Sequence, residues 1–259
     1  MPKSRNPIIK FDKLQMYFGE PYVINIEGVQ GQITIYSPTI GNIVELGEEK
    51  FYSTLNIFTT NTTAYRLMLW ENDIDWNEIS DFQLFMMLYK GIDLEASKLI
   101  FKDLDWSKFL MYEKKLPDSE EVEMILYNPE DEIEINEQVY YHISQYLRNV
   151  FNIFPEEKIT TQKTLKQWYI NKDKRELENK KTKEEEQTSI LSLISACINH
   201  PGFKYNLQQL KKVGVAQFYD SVKRLQVYEN TTACLKGMYS GFVDGKKLHA
   251  EDYNFFKDI

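Results

Sequence analysis

SILSLISACINHPGFKYNLQQLKKVGVAQFYDSVKRLQVYENTTACLKGMYSGFVDG, residues 189–245, decides how this chain is read. Ile190, Leu191, Leu193, Ile194, Cys197 and Ile198 form an apolar stripe at the spacing of a helix with one buried face. His200-Pro201-Gly202 ends that helix: proline disfavours helical backbone before it, and glycine frees the chain to turn. From Val215 the apolar positions step again through Phe218, Val222, Leu225, Tyr228, Thr232 and Leu235. That spacing predicts a long helix terminating near Gly237 or Gly241. With the aromatic tail KKLHAEDYNFFKDI, residues 189–259 are expected to form a C-terminal helical unit.

Helical spacing also dominates upstream. Ile40, Ile43 and Val44, then Phe51, Leu55 and Phe58, predict a helix behind a cap at Thr39, with a bend or break at Gly41 or Gly47. Further helices are expected through Ala64–Leu69, from Ser80 to Gly91, and from Asp93 to about Phe101. Asn136 is placed to cap another, with Val139, Tyr140, Ile143, Tyr146, Leu147 and Val150 on its buried stripe.

Two places depart from this pattern. Tyr22-Val23-Ile24 and Ile33-Thr34-Ile35-Tyr36 flank a Gly28–Gly31 turn, which predicts a two-stranded element after an irregular arm. EVEMILY and EIEIN flank Asn128-Pro129-Glu130-Asp131, which predicts a β-hairpin. Its alternation puts Val122, Met124, Ile133 and Ile135 on an apolar face and Glu121, Glu123, Glu132 and Glu134 on a carboxylate face. The fold expected is mainly α with small β elements (α+β). It comprises an arm and β element at 1–38, a helical domain at 39–154 carrying the acidic hairpin near 121–135, a charged linker or helix at 155–188, and the C-terminal unit.

Composition narrows the function. With 31 basic against 39 acidic residues the chain is at −8, and no local basic patch offsets that, so phosphate-driven nucleic-acid binding is excluded. The tract KDKRELENKKTKEEEQ, residues 172–187, balances six basic against six acidic side chains and reads as solvated. No stretch reaches the roughly 20 apolar residues a membrane span requires, and the N-terminus lacks a signal-peptide core. Two cysteines in apolar patterns fit a reducing cytoplasm.

No reaction announces itself. His142, His200 and His249 lack metal-ligand spacing, and phosphate-loop, dinucleotide and nucleophile-elbow motifs are missing. Cys197 and His200 are three apart, yet the apolar stripe around Cys197 keeps a thiol protonated and unreactive. No catalytic, metal or cofactor site is therefore expected. Most of the aromatics, 14% of the chain, are expected in the core. Trp70, Trp76, Tyr140, Tyr141, Phe255 and Phe256 are the candidate partner-binding residues, since large aromatics anchor protein contacts.

IYSPTIGNIVELGEEKFYSTLNIF (35–58), DIDWNEISDFQLFMMLYKGID (73–93), HPGFKY (200–205) and VAQFYDSVKRLQVYENTTACLKGMYSGFVD (215–244) resemble tail-module proteins of tailed bacteriophages infecting Gram-positive hosts. The resemblance implies a non-catalytic protein that binds other tail proteins. It would be either an assembly chaperone for a client such as the tape measure, acting in the host cytoplasm, or a structural baseplate or tail subunit in the virion.

Overall fold

The computed structural model describes residues 9–115, 122–182 and 190–257, and its architecture is mainly α with two small antiparallel sheets. The N-terminal arm contains one short helix, α1 (Lys13–Phe18), which sequence periodicity is too short to reveal. The Asp12 carboxylate accepts from the amides of Leu14 and Gln15 to start it, and Gly19, at φ 70°, ends it. Strands β1 (Tyr22–Ile24) and β2 (Ile33–Ile35) pair antiparallel with Ile24 opposite Ile33, as the turn between them predicts.

Helices α2 (Ile40–Leu46) and α3 (Glu48–Thr59) are separated at Gly47, whose φ of 102° no side-chain-bearing residue adopts readily. Thr39 and Asn42 form a reciprocal capping box at the start of α2. Next come α4 (Arg66–Glu71), α5 (Asp81–Leu88), capped by Ser80 and Gln83, and α6 (Leu94–Phe101), capped by Asp93.

Strands β3 (Leu110–Lys115), β4 (Val122–Asn128) and β5 (Ile133–Ile135) form the second sheet in that order. The predicted hairpin is β4–β5, and β3 is an added edge strand. Its sidedness differs from the sequence pattern. Val122 and Met124 are exposed, Ile125 and Leu126 are both buried, and Glu134 is buried with the Lys114 ammonium on both its oxygens. Glu121 lies outside the described residues. The reason is tertiary. Near the turn, neighbouring elements cover both faces, and the Glu134 amide donates to Gln30 in the β1–β2 loop. The far end of the sheet stands clear. Gly31 is essential to that junction, because a Cβ there would sit 2.9 Å from the Glu132 carbonyl.

Helix α7 (Glu137–Phe151) follows its Asn136 cap and buries the expected stripe. The charged tract is largely helical as part of α8 (Lys163–Thr182), with residues 183–187 outside the described residues. This helix is not wholly solvated. Ile170 is fully buried, and Asp173 takes the Arg66 guanidinium in two hydrogen bonds. Then come α9 (Ile190–Asn199), the short α10 (Leu207–Leu210) and α11 (Val215–Tyr239).

The main core gathers Phe51, Phe58, Phe85, Trp106 and Phe109 with α7 and with Ile190, Ile194, Val215 and Phe218. A smaller core joins Leu69, Trp76 and Leu84 to Ile170 of α8. The C-terminal elements are stitched to the first half by backbone. Ile40 and Gly41 donate to the carbonyls of Val213 and Lys211, and Val215 donates to Pro38. The approach at Gly41 is so close that a Cβ would lie 2.6 Å from the Lys211 carbonyl oxygen. Tyr52 and Tyr219 add a partly buried hydroxyl pair at 2.8 Å.

Thr59 ends α3, the loop Thr60-Asn61-Thr62-Thr63 follows it, and the whole 59–63 segment is buried. Arg148 of α7, itself buried, satisfies it: Nε donates to the Thr59 carbonyl at 2.9 Å and Nη2 to Thr60 at 2.6 Å. Asp81 stands 3.6 Å from the same guanidinium and also accepts from the Thr62 amide. Replacing Arg148 by Ala strands two buried carbonyls and a carboxylate. Urea denaturation should register a loss of about 3 kcal/mol. Arg148→Lys should recover only part of it, since an ammonium cannot present the guanidinium fork.

Candidate functional site

A groove of about 970 Å³ lies between α1, the 200–205 turn, α11 and the C-terminal tail. Tyr17, Phe203, Tyr205, Leu225, Tyr228 and Phe255 supply its apolar surface. Phe203 and Tyr205 meet edge to face at 5.6 Å, and Tyr228 and Phe255 at 5.8 Å, so its aromatic walls are braced in pairs. A groove of this size, apolar with a few convergent polar groups, is the form binding sites take.

Four of its charged or ionisable side chains, His200, Glu229, Arg224 and Asp220, help to build it. His200 Nδ1 accepts from the Gly202 amide at 3.0 Å, which fixes the proton on Nε2, and Nε2 faces Glu229 Oε1 at 3.1 Å. This bridges the turn to α11. Arg224 Nη1 donates to the Lys257 carbonyl at 2.8 Å, with Asp220 3.9 Å from its Nε, and so ties the tail along the helix. Burial, aided by the nearby Asp220 carboxylate, pushes the Tyr17 phenol above its usual range, so the ring presents a hydroxyl rather than a phenolate. Ser221 donates to the Gln217 carbonyl within α11.

The six candidate partner residues scatter. Phe255 is in the groove, and Phe256, 84% exposed, packs edge to face on it at 5.0 Å. Trp70 and Tyr141 are half-buried elsewhere, Trp70 against the smaller core. Trp76 and Tyr140 are corrections: both are buried and cannot reach a partner. Trp76 donates from its indole to the Lys158 carbonyl at 3.0 Å, pinning the 156–160 segment. Tyr140 stacks on Phe85 at 4.6 Å, and burial raises its phenol well above the ordinary value. The stripe that predicted α7 already placed Tyr140 on the inner face.

The groove residues Tyr17, Phe203, Tyr205 and Arg224 carried no sequence signal as a set, because Tyr17 is nearly two hundred residues from the rest. Tyr228 was visible as part of the α11 stripe, but that stripe leaves the core after Leu225 and opens into the groove.

The histidines lie apart. His142 Nδ1 bonds the Tyr22 hydroxyl at 2.9 Å, and burial lowers its pKa. His249 sits at the start of the tail's last helical turn, where its amide meets the Asp252 carboxylate. Cys197 is buried, and burial pushes its thiol up. Among the described residues no cluster of His, Cys, Asp and Glu has the makings of a metal site, and no helix is long and apolar enough to cross a membrane.

Residues 179–259 match the family model described as the YomV second domain, a phage-derived family, over just under a third of the chain. Every groove-lining residue except Tyr17 falls within the matched stretch. No curated protein and no solved structure matches the chain. Over its last third, then, the sequence is similar to a phage protein.

Arg224→Gln should release the tail without unfolding the rest. Amide exchange over residues 254–257 should quicken by roughly tenfold, the equivalent of one charge-assisted hydrogen bond, while α3 and α7 keep their protection.

Proposed function

We propose that the protein is a non-catalytic phage tail assembly factor that binds other tail proteins, such as the tape measure, during morphogenesis. The observation that carries this reading is the aromatic groove, which is apolar and lined within the phage-type stretch. Its polar groups hold the walls together and leave the ring surfaces free for a partner. An amphipathic helix suits it, because such a helix presents apolar side chains every three or four residues to a groove of this kind. A tape measure is a long chain of such helices, and it needs cover before assembly.

A second reading, a structural subunit of the tail or baseplate, is favoured by Tyr239 and Phe242. These rings at the end of α11 are 84% and 91% exposed and lie outside the groove. Permanent assemblies bury apolar surfaces of this kind.

Co-expression with the tape measure encoded by the same phage tests the first reading. The wild-type chain should co-purify with it, and Tyr228→Ala and Phe255→Ala should each weaken capture by roughly tenfold or more, as expected of aromatic anchors. Failure of the wild-type chain to capture any tail protein would overturn the reading. Stoichiometric recovery of the chain from purified virions would replace it with the second.

A further inference from the structure

No strand among the described residues pairs with the outer edge of β3, and its chemistry is that of a pairing surface. Among the described residues β4 is the only strand bonded to it, in an unbroken register from Leu110 opposite Tyr127 to Lys115 opposite Val122. Proteins blunt such edges with proline, bulges or outward lysines, since unpaired N–H and C=O groups recruit another strand. LMYEKK has no proline and no bulge. Lys114, the residue best placed to guard it, is drawn away onto Glu134 at 2.7 and 2.8 Å. Leu110, Met111 and Tyr112 are 47%, 48% and 42% exposed; Leu110 and Tyr112 share one face, and Met111 shares the other with the exposed Val122 and Met124 of β4.

We propose that β3 pairs antiparallel with the β3 of a second copy of this chain, about a twofold axis through Tyr112. A twofold that makes two copies of one strand antiparallel keeps each face of the sheet on its own side, so residues of like parity must oppose one another. Overlap and charge then select the register: centring on Leu110 or Met111 pairs at most three residues of β3, and the later centres are sorted by charge. Centring on Glu113 opposes two carboxylates, and centring on Lys114 opposes two ammonium groups. Centring on Tyr112 sets it against its own copy, Met111 against Glu113 and Leu110 against Lys114, with no like charges facing. It also brings both Met111 side chains together diagonally on one face, and Leu110 near the second Tyr112 on the other. The strand carries two lysines and one glutamate in a chain of net charge −8, so this edge does not add to the chain's negative charge.

Tyr112→Cys in a Cys234→Ser background tests this, Cys197 being buried. Residues directly opposite on antiparallel strands have Cα atoms about 4.5–5.5 Å apart, within disulfide reach. Mild oxidation should give a covalent dimer with Tyr112→Cys and none with Leu110→Cys, whose copy lies four residues away along the strand. In sedimentation velocity the unmodified chain should show a concentration-dependent dimer, weakened roughly tenfold or more by Tyr112→Glu, which sets like charges face to face. A monomer up to the highest soluble concentration would overturn the proposal. So would equal cross-linking of the two cysteine variants, or a dimer indifferent to Tyr112→Glu. None of these outcomes bears on the aromatic groove.

Discussion

The guanidinium of Arg148 holds the centre of this structure. A polar segment, residues 59–63, is buried where α3 ends, and buried carbonyls without donors would cost more than the fold can spare. Arg148 reaches across from α7 to two of them while Asp81 balances its charge. Once the loop is satisfied, it becomes a platform. Asn61 donates to the Glu156 carbonyl, and Thr63 accepts from the Lys158 amide. The segment that leads into α8 is thereby fixed, and Trp76 and Ile170 can close the smaller core behind it.

The groove depends on a second set of long-range ties. Residues 211–215 lie against the Pro38–Gly41 turn by main-chain bonds, and Gly41 admits them because it has no side chain. These bonds and the Tyr52–Tyr219 pair set the direction in which α11 leaves the core. Its stretch from Asp220 to Glu229 then runs past α1, the 200–205 turn and the tail, which wall the groove around it. The 35–58 and 215–244 segments thus meet in space, and their packing aims α11.

Much of the fold was legible because its signals are local. Caps at Thr39, Ser80, Asp93 and Asn136, and stops at Gly47 and His200-Pro201-Gly202, are short-range backbone chemistry. The stripe of α7 is also local, and it identified Tyr140 as a core residue even though its aromaticity recommended it as an anchor. The misreadings came from elements whose environment is set from afar. Hairpin alternation assumes one wet face, but near the turn the β1–β2 loop and neighbouring elements cover both faces, and the far end is left bare. Trp76 among acids resembled an interface residue, and only the arrival of Lys158 from eighty residues away makes it a buried donor.

By itself the sequence determined the helical class, the positions of most helix ends and the two β elements. Periodicity, capping and turn chemistry act within a few residues and need no partner. Tertiary structure alone decided which aromatic rings face solvent, that residues 59–63 are interior, and that Tyr17 shares a groove with Phe255. Burial is set by what lies opposite in space, and nothing in a residue's own neighbourhood along the chain records that.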